Sequence, residues 1–312
     1  MHPHAPHSSS LSSCEAHAVP DLLVGTRHGA FFVASRSSSG PPVLVPIANT
    51  GTEVQEFLPA GKHVGVVAAF GNRTKLVVLS ISATKPSVSS DAGPVSAAVG
   101  GSDGIFWLTR PADRRVYSLR AATGAVEPTD TRLPIGMTLA ARTSHGYVIS
   151  DSTARVLYLG EGSQQPRLLS DGGTLVAVRD GQVALADQGA GRANLRIIDV
   201  ATGVQHETVG PPLDNISTGT SDPENVGGIF IGVEAGHGSG QGQTTLGALN
   251  FSTNTYQLIE RTAGAVFPAS VSQSVVAFDT TSDGLRLQAR SCLSVFPLAG
   301  PATALTFAEG SS

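Results

Sequence analysis

The sequence predicts an all-β fold of repeated units, and three observations predict it. From Asp21 onward, short segments rich in Val, Ile, Leu and Phe alternate with Gly, Asn, Asp and Ser, the pattern of strands separated by turns. Nowhere do apolar residues recur at i, i+3, i+4 and i+7 across a dozen positions, so helix is minor. The strongest strand pairs begin near residues 22, 63, 104, 146, 182, 228 and 274, a period of roughly 40 to 45 residues. A unit of that length holds about four short strands and cannot bury both of its faces alone. Stacking such sheets face to face around an axis solves the problem, and the resulting architecture is a β-propeller of four-stranded antiparallel blades. Seven blades is the expected count and six the alternative. Residues 1–20 are expected to be disordered or to help close the ring, and residues 21–312 to form one propeller domain.

The units can be read in order. Leu22 to Thr26 is followed by Arg27-His28-Gly29 and then Ala30 to Ser35; it fits either an innermost or a second strand. Val43 to Ile47 and Val54 to Leu58 come next, and His63–Phe70 pairs with Lys75–Ile81 around Gly71-Asn72-Arg73. Gly104–Arg110 pairs with Val116–Leu119, and Gly146–Asp151 with Arg155–Leu159. Gln182–Asp187 pairs with Leu195–Asp199, Gly228–Glu234 with Thr245–Asn250, and Ser274–Asp279 with Leu285–Ala289.

One stretch recurs within this series. In Asn194–Val209 an alternating run up to Asp199 is broken by Ala201-Thr202-Gly203, and a second extended run follows. Gly203 supplies the positive φ that such a hairpin turn needs. The same sentence is written at Val116–Val126, with Thr123-Gly124 in the turn. It returns at Leu246–Tyr256, where Asn254 replaces the glycine.

The run Ile197-Ile198-Asp199-Val200-Ala201-Thr202-Gly203-Val204 resembles the YVTN-type and quinoprotein-dehydrogenase-like β-propeller repeats. Gly146–Asp151 with Arg155-Val156-Leu157-Tyr158 is a looser match, similar also to NHL-type repeats. The resemblance covers about four units between residues 94 and 260. It implies architecture only, because propellers host many unrelated activities. The Trp-Asp dipeptides of WD40 blades and the Asp boxes of sialidases are missing.

Composition narrows the function classes. The chain has 312 residues, 40% of them apolar and 14% charged, with 36 Gly and 19 Pro, as expected of a globular, turn-rich fold. Net charge is −4 and no basic run exceeds Arg114-Arg115. Nucleic-acid binding, which needs a positive stripe, is therefore not expected. No stretch approaches the ~20 apolar residues of a membrane-spanning helix. The first segment, with His2, His4 and His7, carries no signal-peptide apolar region, although Leu11-Ser12-Ser13-Cys14 is similar to a bacterial lipobox. Cys14 and Cys292 are the two thiols. Propeller rings are often closed by an N-terminal strand in the last blade, which would bring this pair together as a disulfide outside the reducing cytoplasm. A free thiol in a tail and a buried structural Cys is the other reading.

Candidate site residues fall at strand ends. Asp151, Asp187, Glu234 and Asp279 close the same strand in four consecutive units. On one rim, four carboxylates could hold Ca²⁺ or another divalent cation, or attract a cationic ligand. The alternative is that each caps its own turn by accepting backbone N–H bonds. No cofactor is expected from the pattern as it stands. His28 and His237 follow strands whereas His63 and His145 precede them, so a propeller separates the four onto opposite faces. His237 lies in the Gly-rich loop Ala235–Gln243, a hairpin extension or an anion cradle. Trp107 is the sole tryptophan and is expected in the core rather than as a sugar-stacking platform. No Gly-x-Ser-x-Gly elbow or His-Glu-x-x-His motif appears. The expected function is a non-catalytic binding or scaffold module that recognises a protein or glycan through loops on one rim, extracellular or in the cell envelope. A lactonase- or lyase-like enzyme with a divalent cation at the channel mouth is the alternative.

Overall fold

The structure is a computed structural model. It describes residues 22–34, 43–81, 86–101, 104–179, 181–189 and 192–209, and, between 215 and 307, the strands named below with residues 298, 300 and 301. Every regular element among the described residues is a β-strand.

Three strands come first: β1 (Leu22–Thr26), β2 (Gly29–Ala34) and β3 (Val43–Ile47). Four-stranded antiparallel meanders follow. The first comprises β4 (Glu53–Ala60), β5 (His63–Phe70), β6 (Arg73–Ser80) and β7 (Ser87–Pro94). The next comprises β8 (Ala97–Gly100), β9 (Ile105–Thr109), β10 (Arg115–Arg120) and β11 (Ala125–Arg132). Then come β12 (Thr138–Thr143), β13 (Gly146–Ser150), β14 (Val156–Gly160) and β15 (Arg167–Ser170). They are followed by β16 (Thr174–Arg179), β17 (Gln182–Gly189), β18 (Arg192–Asp199) and β19 (Gln205–Val209).

Beyond these lie β20 (Asn215–Thr218), the two-residue β21 (Thr220–Ser221), β22 (Gly228–Glu234), β23 (Gln243–Asn250) and β24 (Thr255–Ala263). β20, β22, β23 and β24 form one sheet. The last meander is β25 (Val266–Ser272), β26 (Val275–Thr280), β27 (Gly284–Ala289) and β28 (Cys292–Phe296). β21 joins it by pairing parallel with β25. The final strand, β29 (Ala302–Phe307), returns to the start and pairs antiparallel with β1.

The innermost strands neighbour one another in turn. β29 lies beside β4, β4 beside β8, β8 beside β12, β12 beside β16, β16 beside β20, and β25 beside β29. Sheets arranged this way around an axis make a β-propeller. The ring is closed by a blade of mixed origin, with the C-terminal β29 innermost and β1–β3 outside it. β1 is thus a second strand. The closing strand comes from the opposite end of the chain to the one that the expected Cys14–Cys292 pairing relied on. Cys292 opens β28, opposite Ala289, and Cys14 lies outside the described residues.

Blade packing explains the period in the sequence. β1, β5, β9, β13, β17, β22 and β26 are the second strands of their sheets, and they begin at Leu22, His63, Ile105, Gly146, Gln182, Gly228 and Val275. A second strand is covered on both faces by neighbouring blades, so it is written as a continuous apolar run. In β5, Val64, Val66 and Ala68 pack with Leu23 and Phe32 of the preceding blade, whereas Val67 packs with Phe106 and Leu119 of the following one. The same two-sided pattern recurs further on. Val116 and Leu133 meet Tyr147, Ile149 and Leu159, and Val148 and Val156 meet Val183, Leu185 and Ile198. On the closing blade, Leu22, Val24 and Phe307 meet Leu285.

Glycine permits a close approach between blades. A Cβ on Gly65 would lie 2.9 Å from both the Phe106 ring and Leu76 Cδ1. The fully buried Phe106 therefore occupies the space that glycine leaves. Phe106→Ala should lower stability by about 3–5 kcal/mol, and Gly65→Ala by about 1–3 kcal/mol through overpacking. Because both changes act on one volume, Gly65→Ala combined with Phe106→Leu should cost less than the sum of the two single variants in urea denaturation. Strict additivity would show that this contact does not set the blade spacing.

Candidate functional site

Alternating strand direction divides the connections between two rims. Second-to-third strand turns and the links between blades share one rim, and first-to-second and third-to-fourth strand turns share the other. The four predicted carboxylates all fall at the same end of a second strand. Asp151 directly follows β13, Asp187 lies in β17, Glu234 ends β22 and Asp279 lies in β26. The backbone places Glu234 opposite Thr244 and Asp279 opposite Leu285. His237 and the rest of the loop at residues 235–242 lie outside the described residues.

Asp151 is a turn organiser. Its Oδ1 accepts bonds from the Thr153 amide (2.9 Å), the Thr153 hydroxyl (2.7 Å) and the Arg155 amide (3.1 Å). Its Oδ2 accepts from Arg155 Nε at 2.7 Å and pairs with the same guanidinium at 2.6 Å. The Thr153 hydroxyl, then the Arg155 guanidinium, hold this carboxyl far below the usual carboxylate range. Ala154, at φ 62°, completes the tight turn. The capping alternative describes Asp151 fully.

Asp187 has a different partner. Its Oδ1 accepts from Arg196 on the adjacent strand β18 at 2.7 Å, and its Oδ2 sits against Arg196 Nε. The same guanidinium bonds the Ser170 hydroxyl at 2.9 Å and the Gly172 carbonyl at 3.4 Å. Asp187 therefore takes part in a tie between its own blade and the end of the preceding one. Among the described residues, no group of three or more His, Cys, Asp or Glu side chains is placed to hold a metal ion.

The repeated hairpin builds the opposite rim. Asp199 Oδ1 accepts from the Thr202 amide (2.7 Å), the Thr202 hydroxyl (2.8 Å) and the Ala201 amide (3.0 Å), and these bonds hold its carboxyl below the ordinary range. Gly203 and Gly124 occupy equivalent positions at φ 77° and 68°. The third copy of this turn, residues 251–254, lies outside the described residues. Arg167 of the preceding blade donates to the Ala201 carbonyl at 3.3 Å, so the turn also serves as a blade-to-blade contact.

The histidines divide as the strand order requires. His28 sits in the β1–β2 turn on the first rim, whereas His63 and His145 lie at first-to-second strand turns on the other. Trp107 packs against the cluster of Val116, Leu139 and Tyr147. Its ring meets Tyr147 edge to face at 5.7 Å. The Arg142 guanidinium lies 4.6 Å from both ring centroids and donates to the Gly146 carbonyl at 2.7 Å. Core packing with a cation cover is the role of this tryptophan.

One acidic group was not singled out from the sequence. Glu56 lies on the innermost strand β4, immediately after a bulge in which Gln55 is the extra residue. Similar register shifts occur at Leu139/Ala141 and Leu175/Ala177, on the innermost strands β12 and β16. The bulge breaks the simple in–out alternation, which is why the run Glu53–Glu56 gives no clear pattern. Glu56 is exposed, yet desolvation by the protein packed around it raises its carboxyl above the ordinary Glu value.

No known protein family matches the sequence, and no curated protein matches it. Solved structures do. A protein from Lactobacillus plantarum superposes with a TM-score of 0.53 at 14% identity, covering 92% of this chain and 98% of that one. Apo AztD from Citrobacter koseri gives 0.58 at 7% identity, over 92% and 96% of the two chains. An oligogalacturonate lyase in complex with manganese gives 0.55 at 9% identity, over 89% and 84%. Likeness at such identities shows the fold alone. The resemblance read from the repeats holds at that level.

Asp151 and Glu56 should respond to pH in opposite senses. The Asp151 carboxyl is lowered in the fold, so its stabilising contribution is present above the unfolded value near 3.8 and is lost as pH falls through the folded value. Glu56 is raised, so ionising it opposes folding at neutral pH, and that penalty disappears as pH falls through the folded value towards 4.5. Asp151→Asn should lower the midpoint of thermal unfolding at pH 7 and Glu56→Gln should raise it. Both differences should shrink in acid. Equal effects of either substitution at pH 7 and in acid would contradict these assignments.

Proposed function

We propose that the protein is a non-catalytic binding or scaffold module: one seven-bladed propeller domain over residues 21–312, recognising a protein or glycan partner through loops on one rim. The observation that carries this reading is the state of the rim carboxylates. Asp151 is taken up by Thr153 and Arg155, and Asp187 by Arg196, so these two of the four rim carboxylates are engaged in holding a turn and a strand pair rather than left open for chemistry. A rim whose turns are fixed by such bonds presents its side chains in constant positions, which favours recognition. An extracellular or cell-envelope location, with Cys14 and Cys292 as a candidate disulfide, belongs to the same proposal.

A second reading is kept because of Glu56. A carboxyl of raised pKa on the innermost strand suits general acid–base chemistry, and the lyase among the structural neighbours was solved with manganese. Here the cation would sit at the channel mouth, with Glu234, Asp279 and the His237 loop as further candidates.

Two measurements separate the readings. Photo-crosslinkers at Ala112 and Ser152, in second-to-third strand turns, should capture a partner in the cells that make the protein, whereas one at Ala122 on the opposite rim should not. Elemental analysis of the purified protein should find no stoichiometric divalent cation. A bound cation lost on Asp187→Asn or Glu234→Gln would overturn the binding-module reading in favour of the enzyme.

A further inference from the structure

The rim that carries the second-to-third strand turns is not uniform in charge. Through the first three blades, counted from β1, these turns carry Arg27, Arg73, Arg110, Arg114 and Arg115. Arg27, Arg73 and Arg114 are exposed and Arg110 and Arg115 partly so. None of the five forms an ion pair with a described carboxylate at contact distance. Most acids nearby are already engaged. Lys75 pairs with Asp91 at 3.3 Å, the Tyr117 hydroxyl donates to Asp113 at 2.8 Å, and Arg155 holds Asp151. Glu53 and Asp130 are the exposed acids that remain beside the arc. Asp113, within the third turn, offsets part of the positive charge of Arg115, yet a chain of net charge −4 still gathers more arginines than acids on this stretch of one rim.

An apolar residue stands at one end of this arc. Ile135 is 83% exposed, the most open of the large hydrophobic side chains among the described residues. A single exposed hydrophobe is ordinary, but its setting here is specific. It lies in the link between β11 and β12, on the same rim as the arginines. Met137 N donates to the Pro134 carbonyl at 3.3 Å and Gly136 sits at φ 77°, which places Ile135 at the first corner of a tight turn with glycine at the second. On either side the link is fixed: Leu133 is buried, and Met137 packs against the core between the two blades. Arg114 braces it, accepting from the Leu133 amide at 2.8 Å and donating through Nη1 to the Leu133 carbonyl at 3.1 Å. Isoleucine is therefore held outward beside guanidinium groups.

We infer that this arc docks an acidic segment of a partner polypeptide, with one bulky apolar side chain set against Ile135 and carboxylates against Arg27, Arg73 and the Arg110–Arg115 turn. The inference rests on the binding-module reading and gives its partner a chemistry. Guanidinium groups favour carboxylates through paired N–H donors, and burial against Ile135 adds the non-polar share. A glycan is the poorer fit. Among the described residues the arc offers no open aromatic face: Tyr117 is covered by Arg110 at 4.6 Å and Phe70 by Lys75 at 5.0 Å.

The test uses the full chain and a short fluorescein-labelled peptide of alternating Glu and Ser around one central Leu. Binding by fluorescence anisotropy should weaken steeply with added salt. Changing Glu to Gln or Leu to Ser in the peptide should each weaken it. Ile135→Ser and the double variant Arg27→Gln/Arg73→Gln should each reduce affinity about ten-fold or more, whereas Lys62→Gln on the opposite rim should not change it. All of these positions are at the surface, and unchanged thermal melts would show that the variants fold. No binding, or binding indifferent to Ile135 and the arginines, overturns the inference. Tighter binding of polygalacturonate or of a single-stranded oligonucleotide to the same arc overturns the choice of a polypeptide. If rim crosslinks to a partner persist while the peptide fails, the binding-module reading survives and only the partner chemistry falls.

Discussion

The structure depends on a strand that must be covered twice. Where side chains are described, the second strand of a blade carries apolar side chains on both faces, so such a sheet cannot bury its core without a neighbour on either side. The side chains that satisfy this requirement, such as Phe57, Phe106, Leu108 and Tyr147, are almost fully removed from water. Burying one large apolar side chain contributes about 1.5–3 kcal/mol. An exposed ion pair contributes about 0–1 kcal/mol, and Lys75–Asp91 and Arg142–Glu161 each leave one partner about half exposed, at 47% and 59%. Cohesion between blades is therefore apolar, and the polar contacts set register and turn shape. Gly65 contributes to that cohesion by leaving room for the Phe106 ring.

The same constraint decided what could be read from the sequence. Second strands were legible because two-sided burial writes them as unbroken apolar runs, and their starts, from Leu22 to Val275, reproduced the expected period within one residue. The Ala201-Thr202-Gly203 turn was legible because Gly203 and Asp199 each have a local geometric task. Innermost strands were less clear. Bulges at Gln55 and near Ala140 shift the alternation, and a short β8 of four residues leaves little pattern to detect. The C-terminal origin of the innermost strand in the first blade was not legible either, since pairing between β1 and β29 joins segments far apart in the chain.

For the rim, the sequence located the acids but not their partners. Asp151 and its arginine are four residues apart and belong to one turn, whereas Asp187 meets Arg196 only because β17 and β18 pair as a hairpin. The basic arc was invisible for the same reason. Its arginines are spread from residue 27 to residue 115, with no basic run longer than two, and only the ring sets their turns side by side. Charge in a repeat fold gathers across blades rather than along the chain, so a census of linear runs understates it.

The closing strand carries a consequence for synthesis. β1, β2 and β3 leave the ribosome before every other strand of the ring, yet their innermost companion is β29, at residues 302–307. At common elongation rates the nascent chain waits on the order of tens of seconds for that companion. During the interval Leu22, Leu23 and Val24, which are wholly buried in the finished ring, lack one edge partner. The nascent ring therefore exposes an open edge on β1 until β29 emerges, and protection by chaperones matters most in that window.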